Sequence, residues 1–260
     1  MFLRNDFNSL YENLFDRGVK LTLFTNGSVL KEDTLELLRK KKPHYIAITL
    51  YGWDKHSYTD FTGVDNSYDS VIKNIRRLKE NNISIILRTL PIKSIYHNLY
   101  KVIELAKTLD EKLQYFTYLT KLNIKDDVNQ RLNPKELLDF EQKLIEAFNY
   151  KQVGNRFEDT YKSYGALRSS LYINHKGEMS PCSYAIRPIK SILANDFYQT
   201  FIELGDELKS LETQNPCSSC DHLSNCLSCF ARRQLEEGEL NCSKYLESIT
   251  IKKEKHYNMK

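Results

Sequence analysis

The chain has 260 residues, 41% hydrophobic and 28% charged, with a formal net charge of +4. That length suits one large domain or one and a half, with enough core to need no covalent staples, and the composition is ordinary for a globular protein. No stretch approaches the roughly 18 apolar residues of a membrane span, and the positive charge lies in short runs such as Arg39-Lys40-Lys41-Lys42 and Lys252-Lys253-Glu254-Lys255. Those runs read as solvated helix ends with no aromatic ladder beside them, so neither a membrane nor a nucleic acid is an expected partner. The N-terminus MFLRNDFNSLYENLF has no apolar signal-peptide core, which points to the cytoplasm.

Up to about Leu119 helix and strand patterns alternate. Phe7, Leu10, Tyr11 and Leu14 recur at helical spacing, and Arg17-Gly18 stops that helix. Leu21, Leu23 and Phe24 predict a strand that ends at Thr25-Asn26-Gly27, followed by a charged helix from Lys31 to Lys41 and a continuous apolar strand from Tyr45 to Leu50. Val71, Ile72, Ile75 and Leu78 mark a helix, Ile83 to Arg88 a strand, Leu99, Val102, Ile103 and Ala106 a helix, and Leu113 to Leu119 a strand. Apolar strands separated by amphipathic helices signal a parallel sheet with right-handed crossovers. Ligands of such sheets bind at the carboxyl ends of the strands, here Asn26, Thr49, Tyr51 and Arg88.

A helix is expected over Asn129–Tyr150, with Pro134 in its first turn and Leu137, Leu138, Leu144, Ile145 and Phe148 on one face. Arg156, Glu158 and Asp159 read as loop charges. Leu171–Ile173, a turn at Asn174–Gly177 and a return from Glu178 read as a hairpin, and Ile192–Leu211 as an amphipathic helix.

Cys217, Cys220, Cys226 and Cys229 then fall within thirteen positions, with Cys242 further on and Cys182 in the hairpin region. Disulfides would need an oxidising compartment. Zinc prefers C-x-x-C pairs roughly 15–20 residues apart, and here five residues separate the pairs. Iron–sulfur ligation also takes four thiolates and fits the spacing best. Of the six histidines only His222 lies inside the group, and it reads as a bystander to a four-cysteine set. Cys182 and Cys229 also admit a plain reading as small buried hydrophobes.

Gly177-x4-Cys182, Cys217-x2-Cys220-x5-Cys226, Cys229 and Cys242 resemble a SPASM domain, the auxiliary-cluster module of radical S-adenosylmethionine (SAM) enzymes that modify peptides and proteins. Two departures stand out. Cys226 and Cys229 are two residues apart where the family has three, and Tyr164 stands about where the family's first cysteine would fall. The segments LFTNG, ITLYGWDKHSYTDFTG, NSYDSVIKNIRRL and ILRT, in that order, look like strands three to five of the radical SAM partial (β/α)6 barrel. Tyr51 replaces the acidic residue of the family's L-D-G version.

The resemblance implies an α/β fold in three parts: an incomplete radical SAM barrel (strands three to six with helices) over 1–125, a bridging helix and loop over 126–165, and a SPASM-like iron–sulfur domain over 166–260. It implies an auxiliary 4Fe-4S cluster on Cys217, Cys220, Cys226 and Cys242, with Cys182 and Cys229 as remnants of an incomplete second one. It implies SAM as cosubstrate, with Thr49 donating to its ribose or carboxylate, Arg88 pairing with the carboxylate and Asn26 lining the mouth. The intact enzyme would cleave SAM reductively to a 5′-deoxyadenosyl radical that abstracts hydrogen from a peptide or protein substrate. No cysteine precedes Cys182, so the C-x3-C-x2-C loop of the SAM-binding cluster is absent. The chain therefore reads as lacking the first two strands, as a fragment, a misplaced start or one piece of a split protein. A second polypeptide could supply the missing part of the barrel. A non-catalytic iron–sulfur partner and a zinc-binding interaction module are the competing expectations.

Overall fold

The computed structural model describes residues 2–116, 118–121, 128–150, 167, 169–213, 216–238 and 241–257. They form two compact units. The first runs to Leu119 and includes Gln130–Leu132 and Phe140–Tyr150, and the second takes the remainder.

The first unit alternates as the sequence pattern requires: α1 (Phe7–Asp16), β1 (Thr22–Thr25), α2 (Glu32–Lys40), β2 (Tyr45–Thr49), α3 (Lys55–Thr62), α4 (Ser67–Glu80), β3 (Ile85–Thr89), α5 (Lys93–Tyr96), α6 (Leu99–Thr108) and β4 (Leu113–Tyr115). The strands lie in the order β1-β2-β3-β4 and every pair is parallel. Consecutive parallel strands need a crossover, and the intervening helices supply it. Side chains alternate across a strand. Leu23, Ile46, Ile48, Ile85, Leu87 and Leu113 occupy one face and are all buried. Each such side chain contributes about 1.5–3 kcal/mol of burial. The opposite face carries Phe24, Ala47, Thr49, Ile86 and Arg88, and Phe24 there remains 57% exposed.

Two glycines are dictated by this packing. Gly27 follows β1 with φ of 74°, and a Cβ on it would lie 2.9 Å from Ile48 Cγ2. Gly52 follows β2, and a Cβ there would stand 2.5 Å from Ser57 Oγ and 2.9 Å from Tyr58 N. The start of α3 is thus pressed against the YG turn, where Asp54 and Ser57 form a reciprocal capping box.

α7 (Pro134–Phe148) follows. Asn133 Oδ1 accepts from the amides of Lys135 and Glu136, and Glu136 Oε2 accepts from Asn133 N at 2.8 Å. That cap starts the helix at Pro134 and not at Asn129. In the second unit β5 (Tyr172–Ile173), β6 (Glu178–Ser180) and β7 (Lys190–Ser191) form an antiparallel sheet. α8 (Phe197–Thr213), α9 (Phe230–Glu237) and α10 (Lys244–Tyr257) complete the second unit, with 3-10 turns at Pro216–Ser219 and Leu223–Asn225.

Several expected boundaries move. β3 is Ile85–Thr89 where Ile83–Arg88 was expected, and β4 ends at Tyr115 where Leu119 was expected. α8 begins at Phe197 and not at Ile192, because β7 takes Lys190–Ser191 and Asp196 caps the helix through Gln199 N at 2.8 Å. α3 and β7 carry too few apolar residues to have stood out in the sequence. Leu10 is 47% exposed, so α1 packs through Phe7 and Tyr11. Tyr164, Arg156, Glu158 and Asp159 lie outside the described residues. Among the described residues no helix is long and apolar enough to cross a membrane.

Candidate functional site

The parallel register brings the carboxyl ends of the strands into line. Thr49 and Arg88 are Cα partners across β2 and β3, and Leu50 N donates to Arg88 O at 2.7 Å. The Arg88 guanidinium lies 3.9 Å from the Phe116 ring centroid and 5.4 Å from that of Phe24. Two aromatic faces thus fix its position on the open side of the sheet. Asn26 Oδ1 is engaged locally, accepting from Ser28 N at 3.2 Å and Ser28 Oγ at 2.9 Å. Asn26 therefore shapes the turn that Gly27 completes. Tyr51 stacks on Phe61 with centroids 5.2 Å apart and planes 13° from parallel.

In the second unit, tight turns fold the cysteine loop back on itself. Cys220 N donates to Cys217 O at 3.0 Å, Leu223 N to Cys220 O at 3.1 Å and Cys226 N to Leu223 O at 3.3 Å. Cys242 directly precedes α10, whose first turn is capped by Ser243 through Leu246 N. Burial on one side, then Glu247 and the thiolates of Cys217, Cys226 and Cys220, push the Cys242 thiol up to about 11. These four cysteines are therefore electrostatic neighbours. Hydrogen-bond donors already face two of their sulfurs: Ser228 N to Cys226 Sγ at 3.3 Å and Arg233 NH1 to Cys217 Sγ at 3.6 Å. In number, type and surrounding donors the set fits a four-thiolate cluster. No three His, Cys, Asp or Glu side chains among the described residues stand at the spacing that a bound ion imposes.

Cys182 and Cys229 have an apolar setting. Both pack on a small core of Leu167, Met179, Ala185, Leu204, Leu208, Phe230 and Ala231. Burial raises the Cys182 thiol, and the charge of Cys229 adds to it. Gln234, 1% exposed, holds the two segments together: its Oε1 accepts from the amides of Ile186 and Arg187, and its Nε2 donates to Arg187 O at 3.0 Å.

Three residues of this region escaped the sequence reading. Arg233 and Gln234 lie one turn beyond Phe230, so the i, i+3, i+4 pattern placed them on its buried side. Their polarity masked that signal. Glu254 belongs to a charged run that reads as solvated, yet it is 15% exposed in its side chain. It accepts from Asn225 Nδ2 at 3.0 Å and meets His222 Nδ1 at 2.7 Å. His222 thus braces the cysteine loop against α10.

An open parallel α/β half barrel and a separate cysteine-rich unit define the class of protein. Comparison with known proteins narrows it: residues 2–106 match the Radical SAM superfamily. The AdoMet-dependent heme synthase of Methanosarcina barkeri is 19% identical over 259 residues, covering 86% of this chain and 73% of its own. The antilisterial bacteriocin subtilosin biosynthesis protein AlbA of Bacillus subtilis is 23% identical over 214 residues, covering 77% of this chain and 46% of its own. The crystal structure of Streptococcus suis SuiB bound to precursor peptide SuiA superposes with a TM-score of 0.70 at 16% identity, over 94% of this chain and 62% of that one. The fold therefore extends the likeness through both units. The chain spans less than two thirds of AlbA and of SuiB.

Proposed function

We propose that this chain is a radical SAM protein of the SPASM type, maturase-like and directed at a peptide or protein substrate, and that it holds an auxiliary 4Fe-4S cluster on Cys217, Cys220, Cys226 and Cys242. The observation that carries the reading is the neighbourhood of those four thiols, felt together at Cys242, in a chain whose residues 2–106 match the Radical SAM superfamily. A peptide substrate is supported by two similar proteins, one named for bacteriocin biosynthesis and one bound to a precursor peptide.

A cluster of this kind supplies one-electron transfer when bound. The protein's part is to gather four thiolates through the 3-10 turns, to brace the loop through His222 and Glu254, and to direct Ser228 N at Cys226. Cys182 and Cys229 offer two thiolates, too few for a stable second cluster, and serve as packing for the core they touch. On the α/β unit, Arg88 presents a guanidinium that matches the SAM carboxylate bidentately. Thr49 beside it is a hydroxyl donor to the same ligand, and Asn26 shapes the rim. No cysteine precedes Cys182, so the thiolates of a SAM-cleaving cluster belong to polypeptide outside these 260 residues, whether continuous with them or a second chain. An iron–sulfur ligand set of this kind suits a reducing, cytoplasmic setting.

Anaerobic reconstitution with iron and sulfide tests the reading. One 4Fe-4S cluster per chain is expected, and stoichiometric zinc with no iron or sulfide would sink it. Residues 1–260, reduced with dithionite and given SAM, should form no 5′-deoxyadenosine above a protein-free control.

A further inference from the structure

Among the described residues Arg233 is one of the largest side chains less than 2% exposed, and it is 0% exposed. It stands on α9, where its backbone amide closes the first turn onto Cys229 O at 3.0 Å. NH1 of its guanidinium reaches Cys217 Sγ at 3.6 Å, and Cys217 is itself only 8% exposed. Burial of a guanidinium is costly unless negative charge and hydrogen bonds compensate it. A protonated thiol is a weak, neutral acceptor, whereas a thiolate accepts a charge-assisted bond. A metal-bound cysteine is a thiolate, so the contact is charge-assisted once a cluster is bound. The preceding residue differs. Arg232 NH1 donates to Leu227 O, and its charge is felt at Cys182.

We propose that Arg233 is the charge partner of the four-cysteine group: it directs a positively charged donor at Cys217 Sγ and raises the reduction potential of the cluster bound there. This rests on the cluster reading above. Four thiolates leave an iron–sulfur cluster net negative, more so once it is reduced, and potentials respond to net charge and to hydrogen bonds on the sulfurs. A fixed positive charge inside the same low-dielectric pocket stabilises the reduced form more than the oxidised one. Arg233 is a positioning residue, since its proposed contact is with a ligand and not with a reacting atom.

Native protein, Arg233→Met, Arg233→Lys and Arg232→Met are reconstituted anaerobically, analysed for iron and sulfide, and titrated with dithionite under electron paramagnetic resonance. The expected result is a cluster in Arg233→Met whose reduction equilibrium falls at least tenfold, about 59 mV for a one-electron couple. Arg233→Lys should stay nearer native, and Arg232→Met should match it. Loss of the cluster in Arg233→Met with retention in Arg233→Lys also supports the proposal, because only the charge is restored. A native midpoint in Arg233→Met, an equal shift in Arg232→Met, or equal loss of iron from both Arg233 variants overturns it while leaving the cluster assignment standing. Absence of iron from the native protein overturns both.

Discussion

Thr49 and Arg88 stand side by side as Cα partners at the carboxyl ends of β2 and β3, on the sheet face that carries exposed Phe24. A guanidinium 3.9 Å from the Phe116 centroid is held in place before any ligand arrives. Arg88→Met is therefore expected to cost about 0.5–2 kcal/mol of stability through the lost ring contact. It should also abolish any SAM-dependent rise in Tm, with Arg88→Lys retaining part of that rise. Differential scanning calorimetry with and without SAM checks both, and an equal SAM effect in native and Arg88→Met protein would remove Arg88 from the site.

The six cysteines should divide into two classes. Alanine at Cys217, Cys220, Cys226 or Cys242 removes one of four neighbouring thiolates and should abolish or gravely weaken iron binding. Alanine at Cys182 or Cys229 removes a small group from a packed core and should cost about 1 kcal/mol with iron content unchanged. Iron and sulfide analysis of the six variants decides the matter, and equal loss from all six would refute the division.

Glu254 joins α10 to the cysteine loop through both carboxylate oxygens. Glu254→Ala should destabilise the apoprotein by about 1–2 kcal/mol, on the scale of one or two lost hydrogen bonds. Urea unfolding measures this, and a change below about 0.3 kcal/mol would show that the brace is unimportant.

Gly52→Ala places a Cβ at 2.5 Å from Ser57 Oγ and 2.9 Å from Tyr58 N. Backbone cannot yield as a flexible side chain does, so a loss of about 1–3 kcal/mol is expected. A variant with native stability in a denaturant titration would mean that α3 shifts freely.

The sequence by itself determined the order of the four strands of the first unit and of the amphipathic helices α1, α2, α4 and α6, though not α3 and α5, because a core-facing strand is apolar along its buried face and a crossover helix along one stripe. It also determined that the cysteines form a group, since their spacing is a local property of the chain. The family resemblance already set Cys217, Cys220, Cys226 and Cys242 apart from Cys182 and Cys229; only the tertiary structure decided their surroundings, such as the apolar core on which Cys182 and Cys229 pack. The same holds for Arg233, Gln234 and Glu254, whose charge or polarity argues for solvent until a partner distant in sequence is seen. A periodic pattern records how one segment meets the interior, whereas the pairing of a buried polar group depends on which other segment arrives beside it.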